Sequence, residues 1–185
     1  MRALILGGTA ESRELALLLL QSGWRVTSSL AGRVKEPKLP LGEVRIGGFG
    51  GPPGLARWLM DHEVDLVVDA THPFAEKISI SAAEATRATG IPLIALHRPA
   101  WTPENYDEWI YVNDMEEAAR IAERYHHIFL TIGRQKLAPF ANDSHNLYVI
   151  RSVDPPEGPL PKRHRLILSR GPFSVQDEKQ LMRDN

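Results

Sequence analysis

The chain has 185 residues, of which 43% are hydrophobic and 24% charged, with a formal net charge of −1 and no cysteine. That length supports one or two domains with a real core, and near-neutrality calls for neither nucleic acid nor a membrane as partner. The missing cysteines exclude disulfides, iron–sulfur clusters, thiolate zinc sites and cysteine nucleophiles, and they fit a cytoplasmic location.

Residues 2–6 form a short apolar run that Gly7-Gly8-Thr9 breaks, and residues 10–21 then read as a helix closed by Gly23. The apolar stretch at 15–20 is far short of the ~20 residues a membrane span needs. It follows Gly-Gly-Thr-Ala-Glu-Ser-Arg-Glu, which no signal-peptide core contains, so no targeting segment is expected. Strands are predicted at 24–30, 43–46, 65–69 and 91–96, with helices from Pro52 to about His62 and from 75 to 89. Strands alternating with helices at short spacing predict a parallel sheet covered on both faces.

The proline-marked stretch Arg98-Pro99-Ala100-Trp101-Thr102-Pro103 reads as a boundary, dividing the chain into domains 1–97 and 98–185. A second α/β pattern follows. Strands are predicted at 109–112, 128–132, 146–153 and 165–169, a helix at 115–125, and another helix from Ser174 onward. Between Arg134 and Arg170 the charge is +4, against −4 over residues 1–133. A locally basic second half suits an anionic partner; scatter along a solvated surface accounts for it equally well.

Four loops at predicted strand ends carry the chemistry. Gly7-Gly8-Thr9 feeding a helix offers free backbone N–H groups and the positive end of the helix dipole, an anion site suited to a pyrophosphate. A tight structural turn is the alternative, because Ser12 stands where a dinucleotide fingerprint has its third glycine. The second strand runs through Ser28 and Ser29 to Gly32 and Arg33 with no acidic residue to hold a ribose 2′-hydroxyl, which favours NADPH over NADH. The third loop, Gly47-Gly48-Phe49-Gly50-Gly51, sits where parallel sheets bind ligands. The fourth is Asp69-Ala70-Thr71-His72-Pro73-Phe74-Ala75. Here His72 can be a proton donor, a carboxylate binder, a stacking partner or a satisfied structural residue. Asp69 can cap the next helix or orient His72.

Together these segments resemble the precorrin-6A reductase family of cobalamin biosynthesis. The resemblance rests on Leu4-Ile5-Leu6-Gly7-Gly8-Thr9-Ala10-Glu11-Ser12-Arg13, Ser29-Leu30-Ala31-Gly32-Arg33 and the third and fourth loops. It continues through Thr131-Ile132-Gly133-Arg134-Gln135 and Ser169-Arg170-Gly171-Pro172-Phe173. It implies two Rossmann-like α/β domains with parallel sheets, an active site in the cleft between them, and reduction of one macrocycle double bond of precorrin-6A to give precorrin-6B. A related anaerobic branch acts on the cobalt-containing form. Cofactor contacts are expected from Gly7, Gly8, Thr9, Ser12, Ser29, Gly32, Arg33, Gly48, Gly50, Asp69 and Thr71. The tetrapyrrole is expected to meet His72, Phe74, Arg134, Gln135, Arg170 and Phe173, with His72 the candidate proton donor. Other enzymes of the cobalamin pathway are candidate partners.

Elementary chemistry agrees. A basic, partly aromatic wall suits a tetrapyrrole bearing many carboxylates, and hydride transfer from a nicotinamide calls for no metal and no protein nucleophile. The family continues past Asn185 with a further strand, a Lys-Asn-Ser-Gly-Gly-like loop and a helix, so either the chain is truncated or this member is short; the second domain is expected to be incomplete, and a missing strand would leave an exposed sheet edge. A short-chain dehydrogenase would need Tyr-x-x-x-Lys, and none of Tyr106, Tyr111, Tyr125 or Tyr148 has a lysine four residues on. A non-catalytic NADPH-binding regulator is the rival from another class.

Overall fold

Alternate residues of one short strand feed two cores, and this organises the first half of the chain. In β1 (Arg2–Leu6) every residue from Ala3 to Leu6 is buried. Side chains alternate across a strand, so Leu4 and Leu6 face one way and Ala3 and Ile5 the other. Leu4 and Leu6 pack with Leu55 and Leu59 of α2 (Gly51–Asp61) and Ala82 and Ala85 of α3 (Glu76–Thr89). On the opposite face Ile5 packs with Ala16 of α1 (Ala10–Gln21), Val26 of β2 (Arg25–Leu30) and Val68 of β4 (Leu66–Asp69). Leu4, Ile5, Leu55 and Leu59 are fully buried, each contributing about 2–3 kcal/mol.

The computed structural model describes residues 1–32, 38–99 and 101–185. The chain divides into two units, Met1–Thr102 and Pro103–Asn185. In the first unit, β3 (Glu43–Ile46) and β5 (Leu93–Ala95) complete a five-stranded parallel sheet of order β3-β2-β1-β4-β5. Helices cover both faces, as predicted for a parallel α/β sheet. The chain winds outward from β1 to β3 and then returns to β4, so the order reverses between β1 and β4. A crevice opens at such a reversal beyond the carboxyl ends of the strands.

The second unit has a three-stranded parallel sheet of order β6-β7-β8, built from β6 (His127–Leu130), β7 (Leu147–Ser152) and β8 (His164–Leu168). It also holds α4 (Met115–Ala122) and α5 (Val175–Arg183). Its core joins Ala119, Leu130, Leu137, Phe140, Tyr148 and Ile150. Two short 3-10 turns, Arg134–Lys136 and Ala138–Asn142, carry Leu137 and Phe140 into that core. The strand expected at 109–112 is not formed, and among the described residues no strand pairs with it. Trp109, Ile110 and Tyr111 are exposed; the β propensity of such residues counts when a neighbouring strand and a buried face receive them. No helix among the described residues is long and apolar enough to cross a membrane.

A buried polar cluster locks the second unit. Asp143 accepts the backbone N–H groups of His145 (2.8 Å) and Asn146 (3.2 Å), the Asn146 side-chain amide (2.7 Å) and the hydroxyl of fully buried Tyr148 (2.8 Å). Burial works against its charge, but those donors outweigh it and hold the carboxyl down to about 2. Burial and the neighbouring Asp143 push the Tyr148 hydroxyl up. A depressed carboxylate stabilises the fold above its unfolded pKa of about 3.9, and the contribution is lost as pH falls through the folded value. Asp143→Ala is therefore expected to lower unfolding free energy by about 3 kcal/mol at neutral pH, because it orphans several buried donors. In urea melts the gap from wild type should shrink toward pH 2, the folded value; a gap below about 0.5 kcal/mol at neutral pH would contradict this role.

Candidate functional site

The turn after β1 is closed on itself. Thr9 caps α1, its Oγ1 accepting the Ser12 N–H at 3.1 Å, while Ser12 Oγ accepts the N–H groups of Gly8 (3.2 Å) and Thr9 (3.1 Å). This differs from the expectation of several free N–H groups. Ser12, in the place of a third glycine, has a hydroxyl that reaches back and occupies two of them. The Ala10 amide, at the first helical position, has no acceptor within the helix. Gly7 lies against Ser12, where a Cβ would come within 3.0 Å of Oγ. Gly8 has φ +116 with nothing within 4 Å of the Cβ it lacks; a side chain is disfavoured there and the outer face of the backbone is open.

The neighbouring loops line the same sheet edge. Thr9 Oγ1 donates to the Ala70 carbonyl at 2.9 Å, joining the loops after β1 and β4 across the strand-order reversal. The carbonyl of Ser29, a buried residue, accepts the Gly7 N–H at 3.0 Å. Gly32 packs against Ile46, and Arg33 lies outside the described residues. After β3, the Arg45 guanidinium donates to the carbonyls of Gly47 (2.5 Å) and Gly48 (2.7 Å) and stacks 3.8 Å from the Phe49 ring centroid. Phe49 meets Trp58 edge-on. The loop is thus fixed from beneath, while Gly48 and Gly50 have open space where a Cβ would be. Open glycine backbone after β1 and after β3 fits a cofactor pressed against both turns.

Asp69 does not cap α3, and its contacts go to Thr71 and His97 rather than to His72 itself. The cap residue of α3 is Ala75, with no side-chain bond. Asp69 is buried; its Oδ1 accepts the Thr71 N–H (3.1 Å) and Thr71 hydroxyl (2.7 Å), and Oδ2 lies 3.6 Å from His97 Nε2. Burial would raise its pKa, but hydrogen bonds from Ser79 and Thr71, with His97 beside it, bring it below the usual value. His72 and Phe74 are exposed beyond it, their rings 5.0 Å apart. His72 Nδ1 accepts the Phe74 N–H at 3.2 Å, which in the neutral ring puts the proton on Nε2.

In the second unit Arg134 and Gln135 line a pocket of about 170 Å³ with Leu137, Pro156 and Glu157. The Arg134 guanidinium donates to the Pro155 carbonyl (3.3 Å) and lies 3.7 Å from the Glu157 carboxylate. Arg170 is exposed. Phe173 lies under the Arg151 guanidinium, 3.8 Å from its ring centroid, and Arg151 also pairs with Glu178. Neither Arg170 nor Phe173 lines the Arg134 pocket. Sequence reading missed Arg45, His97 and Arg98. Arg98 pairs with Glu11 in the first turn of α1, although Glu11 stands inside the glycine-turn motif and Arg98 opens the proline-marked stretch.

Comparison with known proteins agrees over the length of the chain. A precorrin-6A reductase of Rhodococcus erythropolis is 49% identical over 186 residues, covering 100% of this chain and 75% of that protein. A cobalt-precorrin-6A reductase of Priestia megaterium is 34% identical over 152 residues, covering 81% of this chain and 59% of that protein. A solved structure of a CobK precorrin-6A reductase has a TM-score of 0.90 at 42% identity, covering 100% of this chain and 74% of that one. The family model described as precorrin-6x reductase CbiJ/CobK matches residues 2–185, and the chain belongs to that family.

Proposed function

We propose that the protein is an NADPH-dependent reductase that converts precorrin-6A to precorrin-6B in cobalamin biosynthesis. The observation that carries the reading is the family match over residues 2–185, joined to an open glycine edge on a sheet of order β3-β2-β1-β4-β5. The metal-free substrate is favoured over the cobalt form by the higher identity and fuller coverage of the precorrin-6A enzyme. NADPH is favoured over NADH because no acidic residue stands between Ser29 and Arg33.

When bound, the nicotinamide supplies the hydride for the macrocycle double bond. The residues of the chain bind, orient and protonate. Gly8, Gly48 and Gly50 admit the cofactor to the backbone, with Gly7, Thr9 and Ser12 holding the first turn in shape. Ser29, Gly32 and Arg33 take the adenosine end. Asp69 fixes Thr71 and so the loop that presents His72 and Phe74. His72 holds at Nε2 the proton that completes the reduction, and the pathway's carboxylate-rich tetrapyrrole suits Arg134 with Gln135, and Arg170 with Phe173. The test is to mix the protein with NADPH and precorrin-6A and follow the macrocycle's visible spectrum. A spectral change that needs both the protein and NADPH is expected. Cofactor uptake without that change would refute the reductase reading in favour of a regulator.

A further inference from the structure

The first turn of α1 contains a carboxylate where an anion site is proposed. Glu11 lies in that turn, and a negative charge there is itself stabilised by the helix dipole and repels a second anion. Arg98 answers it from the segment after β5. Its Nε donates to Glu11 Oε1 at 2.6 Å and its Nη2 to Oε2 at 3.0 Å, a two-pronged pair between residues 87 apart in sequence. Arg98 is held in place from below. The Leu96 N–H donates to the Asp69 carbonyl at 2.8 Å, and the His97 ring lies 3.6 Å from the Asp69 carboxylate. The pair therefore ties the segment after β5 to the first turn of α1, which directly follows the Gly7-Gly8-Thr9 turn. A guanidinium has five N–H donors; Glu11 engages two of them, and three remain for an anion beside the turn.

We propose that Arg98 is a binding residue for the cofactor's diphosphate: it neutralises Glu11 at the start of α1 and offers its remaining N–H groups to the phosphates. This rests on the NADPH reading above and adds a residue that the glycine motif does not contain. Hydrogen bonds from Arg98 also hold the Glu11 carboxyl down to about 2, so the carboxylate is charged at every working pH and always requires the partner.

The test is a double-mutant cycle on NADPH affinity, read by cofactor fluorescence, with Arg98→Met, Glu11→Gln and the double variant. Arg98→Met is expected to weaken NADPH about tenfold or more, since it leaves an unpaired carboxylate at the anion site. Glu11→Gln should change affinity by no more than about threefold, and adding it to Arg98→Met should restore most of the loss. Thermal unfolding should barely move in any variant, because the pair is half exposed and such pairs stabilise folds little. An Arg98→Met protein that binds NADPH as wild type does would overturn the role of Arg98 alone. So would a double variant no better than Arg98→Met, or affinity that falls in step with melting temperature. Wild-type protein that takes up no NADPH would overturn both the role and the reading beneath it.

Discussion

Asp69→Ala is expected to lower kcat/KM for precorrin-6A about 100-fold, the scale expected when reacting groups shift by about 1 Å. Asp69 acts through its neighbours, Thr71 and His97, rather than on the substrate. It is buried and accepts both the N–H and the hydroxyl of Thr71, and Thr71 leads directly into His72. Without the carboxylate, two buried donors lose their acceptor and the loop over residues 71–75 is no longer defined. The orphaned donors are also expected to lower unfolding free energy by about 2–3 kcal/mol. Asp69→Asn keeps an oxygen that accepts both Thr71 donors and places its amide on the His97 side, so it should recover much of the loss. Steady-state kinetics with NADPH and precorrin-6A provide the check, beside urea melts. Asp69→Ala activity within about threefold of wild type would mean that the loop is positioned by something other than this carboxylate.

Gly54→Ala is expected to cost about 3 kcal/mol or more, at the upper end of what overpacking does. Gly54 lies in the first turn of α2, where an added Cβ would stand 1.8 Å from the Phe49 carbonyl oxygen and 2.9 Å from its carbon. Both atoms are backbone, so no rotamer change relieves the clash. Phe49 is itself pinned between Arg45 and Trp58, so the loop of residues 47–51 or the start of α2 must give way. Gly48→Ala is the internal control, because nothing lies within 4 Å of its missing Cβ. That variant should melt within about 0.5 kcal/mol of wild type and reveal through NADPH affinity alone whether the open edge is used. Equal stability of the two variants would contradict the close approach at Gly54.

The parts of the fold set by local pattern were legible in the sequence. Apolar runs located β1 and β4 within a residue, because a strand buried on both faces has little freedom in composition; β2 and β3 carry polar residues and were placed within a residue between helix and glycine signals. The reading failed at 109–112, where Trp, Ile, Tyr and Val look like a strand but meet no neighbour among the described residues. It also missed that Ser12 closes the first turn. The usual capping box has Glu or Gln at the third helical position, and here the serine hydroxyl takes that role. The contacts that shape the candidate site are long-range. Glu11 finds Arg98, Asp69 finds His97, and Thr9 finds the Ala70 carbonyl. Each pairing depends on the strand order β2-β1-β4-β5, which no local spacing encodes. The glycine loops were legible as loops; that Arg45 braces one of them from beneath was not.

Isotope tracing distinguishes hydride transfer from cofactor to macrocycle from cofactor binding without turnover. The protein is incubated with precorrin-6A and NADPH carrying deuterium at the transferable position of nicotinamide C4, and the product is analysed by mass spectrometry. The expected product is precorrin-6B that carries the cofactor's deuterium on a macrocycle carbon, formed only when protein and cofactor are both present. Unlabelled product, or unchanged precorrin-6A beside protein-bound NADPH, would contradict that transfer.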